Sequence, residues 1–190
     1  SIGDMGANLI GTSVFALQEY YFGEQKILLK FCSFPKKYSK DQIFSTNGNY
    51  SSSLHDRAED LFGSNLAIRT LKDYNAQKYW VSISLKDIVQ NDAIPKWLNL
   101  ALGYSPENIY GGYSNSWYGE NGELYKVDPV QQKRYHQFFI APDIDLSKIK
   151  TSSSFLKSIL RLANILKVPS PALEINDRDG VHLQWHWIFY

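Results

Sequence analysis

Three polar side chains fall on one helical face at the start of this chain. In SIGDMGANLIGT, Asp4, Asn8 and Thr12 recur every fourth residue, and residues four apart share a helix face. A carboxylate, an amide and a hydroxyl in one row can hold a ligand or relay a proton, and can equally satisfy buried backbone groups. Gly3, Ala7 and Gly11 run beside them at the same spacing. Such a small-residue seam lets a neighbouring backbone approach closely. No partner helix for it is evident downstream, so a helical segment is expected ahead of Ser1.

Other chemistry-bearing residues are sparse. Asp143 and Asp145 in APDIDL point the same way on an extended segment and could hold a calcium ion together with loop carbonyls, although a turn after Pro142 explains them as well. His182 and His186 are four apart on a strand, about 13 Å at ~3.3 Å per residue, too far to chelate one metal. Cys32 has no second cysteine to pair with and reads as a strand residue. His55-Asp56 sits in a polar stretch and reads as solvent-facing. GxSxG, Walker, GxGxxG, HExxH and CxxC motifs do not occur. No cofactor or metal site is expected, and the enzyme reading is the weaker one.

The elements that must position these residues alternate with period two after the first helix. The helix runs over 1–23 and stops at Gly23. Strands are expected at 25–34, at 78–86 (Tyr79, Val81, Ile83 and Leu85 on one side), at 96–104 (Leu98, Leu100, Leu102 and Tyr104), at 132–141 and at the C-terminus. There Val181, Leu183, Trp185, Trp187 and Phe189 share a face, and Tyr190 falls on the other. Asn121-Gly122 marks a hairpin turn between Tyr118 and Tyr125. Before the last strand, a helix at about 152–167 has N-caps available at 151–154, a face of Phe155, Ile159, Leu162 and Leu166, and Pro169 as its stop.

The expected fold is therefore α+β and mainly antiparallel β: one domain over 1–190, with an N-terminal helix and a barrel-like β-rich body over 24–190. Long strands with one apolar face and aromatic ends suit an outer-membrane barrel; a soluble sandwich gives the same alternation. Residues 35–67 and 105–131 are polar or Gly- and Tyr-rich and read as loops, with Tyr110, Tyr113, Trp117 and Tyr118 as a surface binding loop. From 148 to 167 every charge is positive, so Lys157, Arg161 and Lys167 could lay that helix on an anionic membrane. A net charge of +1 gives no field favouring nucleic acid. The apolar stretch from Leu9 to Leu17 is far shorter than the ~20 residues that span a bilayer.

The opening SIGDMGANLIGTSVFALQEY resembles the closing helix of the YfiM-like family of predicted periplasmic lipoproteins, in its longer Bacteroidota branch. GSNLAIRTLKDYNAQKYWVS, IPKWLNLALGY, DIDLSKIKT and VPSPALE resemble later segments of that branch in the same order. The resemblance implies a preceding helical half carrying a DKxxHF-like motif, which this sequence lacks. Asp4 and Asn8 would meet that acid and histidine, and Gly3 and Gly11 would be packing glycines. It also implies a cell-envelope location at the outer membrane or in the periplasm, and no known reaction.

Three functions follow as expectations. The first is a non-enzymatic envelope protein, an accessory or structural subunit contacting the membrane and other envelope proteins. The second is a membrane-embedded enzyme acting on lipid or cell-wall precursors through Asp4 and Asn8. The third is a soluble periplasmic module that stacks glycans on the Tyr/Trp loop.

Overall fold

A computed structural model describes the backbone of residues 2–186, and the side chains of that span except residues 2–4, 7 and 186. The side-chain readings on Gly3, Asp4, Ala7 and His186, and those on Trp187, Phe189 and Tyr190, lie outside the described residues. In chain order the elements are α1 (Ile2–Phe22), β1 (Ile27–Ser33), β2 (Ile43–Phe44), β3 (Ser51–Ser52), α2 (Leu54–Phe62), α3 (Leu66–Lys72), β4 (Gln77–Ser84), α4 (Leu85–Val89), β5 (Leu98–Glu107), β6 (Ser116–Tyr118), β7 (Leu124–Lys126), β8 (Tyr135–Ile144), a 3-10 turn (Leu146–Lys148), α5 (Ser154–Ala163), β9 (Ser170–Asn176) and β10 (Gly180–His186). The chain is α+β, built on a six-stranded antiparallel sheet in the order β1-β4-β5-β8-β9-β10.

The sheet is curled. Lys30 on β1 forms an ion pair of 2.9 Å with Asp143 on β8, although β4 and β5 lie between their strands. Three spacings of ~4.8 Å would hold those backbones about 14 Å apart in a flat sheet. The free edge of β1 is also covered: Phe31 donates its amide to Ile165 and accepts from Lys167, forming a parallel bridge with the segment after α5. Among the described residues no ladder joins β10 back to β1.

At one end of the sheet the two long connections pack into a cap. Ser53 caps α2 by accepting from the Asp56 amide, and Gly63 closes that helix at φ 82°. Asn65 caps α3 in the same way. Leu54, Ala58 and Phe62 meet Tyr38, Tyr110, Trp117 and Tyr125 in a core of their own. The expectation of polar loops at 35–67 and 105–131 is thereby overturned, because aromatic side chains spread along both segments converge on α2. At the other end Gln18 of α1 grips the start of β1. Its side-chain oxygen accepts from the amides of Lys26 and Ile27, and its nitrogen donates to the Ile27 carbonyl.

Several boundaries differ from the sequence reading: the strands expected at 96–104 and 132–141 run instead over Leu98–Glu107 and Tyr135–Ile144, and two further cases have a clear cause. Leu85 is not a strand residue: Ser84 caps a short helix there by accepting from the Asp87 amide. The helix expected at 152–167 ends at Asn164, because residues 165–167 leave it to pair with β1. The N-cap is Ser153, within the expected run, and Asn121-Gly122 lies in the β6–β7 turn with Gly122 at φ 74°. No helix among the described residues is long and apolar enough to cross a membrane.

Candidate functional site

The two faces of the sheet differ: the outward one is apolar and exposed, and the inward one mixes apolar core with buried charge. Across the six strands one register row reads Leu29, Val81, Leu102, Ile140, Leu173 and Leu183, each opposite the next. All six are solvent-exposed. The adjoining row on the same face reads Phe31, Tyr79, Tyr104, Phe138, Ile175 and Val181, with the Tyr104 and Phe138 rings 5.6 Å apart. The row between them points inward and carries Lys30, Trp80, Gly103, Phe139, Glu174 and His182.

The inward face combines a small apolar core of Cys32, Trp80, Ala101, Phe139, Ala141 and Ala172 with buried, paired charge. Asp143 accepts from Ser82 Oγ at 2.7 Å and from the Val168 amide at 3.3 Å. Lys30 Nζ lies 2.9 Å from one of its oxygens and Lys167 Nζ 3.5 Å from the other. Asn99 donates to Ser82 Oγ, extending the network. All five side chains are buried. A buried carboxylate is tolerated when it is paired and hydrogen-bonded. With both oxygens so engaged, Asp143 anchors the sheet and has no free oxygen to offer a calcium ion, and the calcium reading of Asp143 and Asp145 is set aside. Asp145 caps the 3-10 turn instead and accepts from Asn164.

A second cluster lies nearer the cap. Glu174 Oε1 accepts from Gln137 at 2.6 Å and from Asn176 at 2.7 Å. Its Oε2 makes no hydrogen bond and faces His182 Nε2 at 3.5 Å. Trp80 packs on Phe139 and donates its indole N–H to Cys32 Sγ at 3.3 Å. No group of three His, Cys, Asp or Glu that could hold a metal occurs among the described residues.

In the cap, the Tyr38 hydroxyl donates to the Asp73 carboxylate at 2.7 Å. Burial pushes the Asp73 carboxyl above its usual range, opposed by that hydrogen bond and by the Arg69 charge. Burial also raises the Tyr110 phenol to about 12.

Of the expected surface loop, only Tyr113 and Tyr118 are exposed. Tyr110 and Trp117 are core residues at 2% and 7% exposure, because Trp117 stacks on Tyr125 and Tyr110 sits edge-on to Tyr38. Lys157 and Arg161 lie exposed on α5. Lys167 does not: it is buried beyond the helix and bound to Asp143. Phe155 and Leu162 of α5 are more than three-quarters exposed, so that part of the apolar face is open, while Leu160 and Ala163 are half-buried. On α1, Asn8 is exposed and nothing lies within 4 Å of a Cβ built at Gly11. His55 belongs to α2, within reach of Asp56 and Glu59.

The inward polar residues Lys30, Ser82, Asn99 and Glu174 were missed as a set. Their signal in the sequence is phase: each sits between apolar residues of the opposite parity, as Lys30 does in LLKFC.

No family of known proteins, curated protein or solved structure matches the chain.

Proposed function

We propose that this chain is the β-rich body of a non-enzymatic cell-envelope protein, a barrel-like structure in the outer membrane serving as an accessory or structural subunit. One observation carries the reading: along six neighbouring strands the outward row is apolar and exposed while the inward row holds buried charge. In water such a face is a liability, since monomers rarely expose contiguous apolar patches beyond a few hundred Å². In a bilayer the same alternation, apolar outward and polar inward, is what a spanning strand needs.

The ends of the face fit as well. Tyr79, Tyr104 and Phe138 lie toward the cap, with Trp97 and Trp185 toward the other rim. The curl that brings Lys30 to Asp143 supports a barrel-like closure. Exposed Phe155 and Leu162, beside exposed Lys157 and Arg161, support α5 lying on the membrane surface. On α1, exposed Asn8 and open Gly11 support a helix-packing role for the Gly3/Gly11 seam, with Asp4 and Asn8 as its polar contacts.

Membrane fractionation with a carbonate wash, followed by gel mobility of unboiled and boiled detergent extracts, tests the reading. Carbonate resistance with a shift on boiling is expected. A freely extracted chain with unchanged mobility would sink it.

A second reading, a glycan-binding surface, draws on the cavity of about 500 Å³ in the cap, where Trp117 and Tyr118 stand beside Asp56, Arg57 and Asp60. Sugar binding by a detergent-free soluble chain, lost in Y118A, would favour it.

A further inference from the structure

At the rim opposite the cap, α4, the start of β5 and the 3-10 turn enclose an open groove of about 800 Å³. Its floor is apolar, made by Ile94, Pro95, Trp97, Ile144 and Ile149. Lys86, Lys96, Lys148 and Lys150 surround that floor. Two of these cations are already neutralised, Lys86 by Asp92 at 2.6 Å and Lys148 by Glu24. Lys96 and Lys150 are exposed and form no ion pair with an acid among the described residues. The groove therefore carries a surplus of two positive charges above an apolar floor.

That floor is continuous with the outward face of the sheet. Ile144 closes the outward row of β8 and stands opposite Leu98 in the register. A ligand whose charged end meets Lys96 and Lys150 can thus run its apolar part past Trp97 and Ile144 onto the strands. We infer that this rim groove binds the phosphate head of an anionic phospholipid, its acyl chains lying along the apolar sheet face. The inference rests on the bilayer reading of that face. A free inorganic anion would leave Trp97 and Ile149 uncovered, and a zwitterionic lipid would bring a choline cation up to the two lysines along with its phosphate.

The test uses the full chain purified in dodecyl maltoside and titrated with dihexanoyl phosphatidylglycerol, dihexanoyl phosphatidylcholine or inorganic phosphate. Tryptophan emission is followed, and W97F marks the part of the signal that belongs to Trp97. Two cations at an anionic surface predict saturation at about tenfold to thirtyfold lower concentration for phosphatidylglycerol. In the K96Q/K150Q variant the preference should fall to about twofold or less, since both unpaired charges are gone. Because both lysines are exposed, the variant tests the site without touching the core. A Trp97-dependent signal with no headgroup preference would overturn the inference, as would a preference unchanged in K96Q/K150Q or the same emission change with inorganic phosphate. Carbonate extraction separates the two readings. A carbonate-resistant chain with no preference overturns this site alone, whereas a carbonate-released chain that keeps the preference overturns the bilayer reading and leaves the groove.

Discussion

Lys30 and Asp143 stand three strands apart in the sheet order and 2.9 Å apart in space, and Lys167 reaches the same carboxylate from the segment that covers β1. Two cations therefore share one buried anion, and the three positions are not equivalent. Asp143→Ala leaves two uncompensated buried ammonium groups, and breaking a buried pair in this way costs about 3 to 5 kcal/mol. Lys30→Met leaves Lys167 facing Asp143 as a neutral pair, so its cost should be clearly smaller. Urea unfolding of both variants in detergent micelles measures the difference. Equal losses would show that the network is not organised around the carboxylate.

Gly103 and Trp80 lie directly opposite each other in the β4–β5 register. A Cβ built on Gly103 would come within 2.6 Å of the indole ring, so the strand needs glycine there to seat Trp80 against Phe139. Gly103→Ala should destabilise the sheet by about 1 to 3 kcal/mol, the usual cost of overpacking. In a Trp80→Leu background the same change should cost little, giving a coupling of at least about 1 kcal/mol between neighbouring sites. Additive losses in the double-mutant cycle would mean that the indole does not impose the glycine.

Much of the sheet was legible because period two survives inspection. The runs Tyr79-Val81-Ile83 and Leu98-Leu100-Leu102-Tyr104 are strand faces as read. Alternation assigns residues to two sides without saying which side is buried, and here the apolar side is the exposed one. β9 escaped because Ser170-Pro171 opens it and only Leu173 and Ile175 mark its face. α2 and α3 were hidden in a Ser-, Asn- and Asp-rich stretch, although Ser53 with Asp56 was a readable cap. Tyr110 and Trp117 are aromatics amid Gly and Ser, and nothing local distinguishes their burial from the exposure of Tyr113. The Lys30–Asp143–Lys167 network depends on curl, which brings together residues up to 137 positions apart and leaves no mark in any one segment.

The cap should respond to pH through Asp73. Its folded carboxyl is raised above the ordinary value by burial, so between the unfolded pKa near 4 and the folded pKa the native state holds a proton that the unfolded chain has released. Stability of the cap therefore falls as pH rises through that window. Asp73→Asn removes the titration and should flatten the profile from about pH 4 upward. Tryptophan-fluorescence melting across this range, with Trp117 reporting on the cap core, checks the sign. A wild-type profile that rises with pH, or one unchanged in Asp73→Asn, would contradict the assignment.

Leu102 decides between water and lipid as the solvent of the apolar face. It lies mid-strand on β5, 47% exposed, between Val81 and Ile140 in the register. If the face is in water, Leu102→Arg replaces one exposed side chain by another and should change stability by no more than about 0.5 kcal/mol. If it faces the middle of a bilayer, the same substitution should cost about 2 to 4 kcal/mol. Tyr118→Arg, on the exposed edge of the cap, supplies the control that should be neutral in either case. Urea unfolding in phosphatidylcholine vesicles gives both numbers, and a Leu102→Arg variant as stable as its parent would return the sheet to a soluble setting. A loss confined to Leu102→Arg would place the six-strand apolar row against acyl chains, because an aqueous surface offers no reason to penalise that cation.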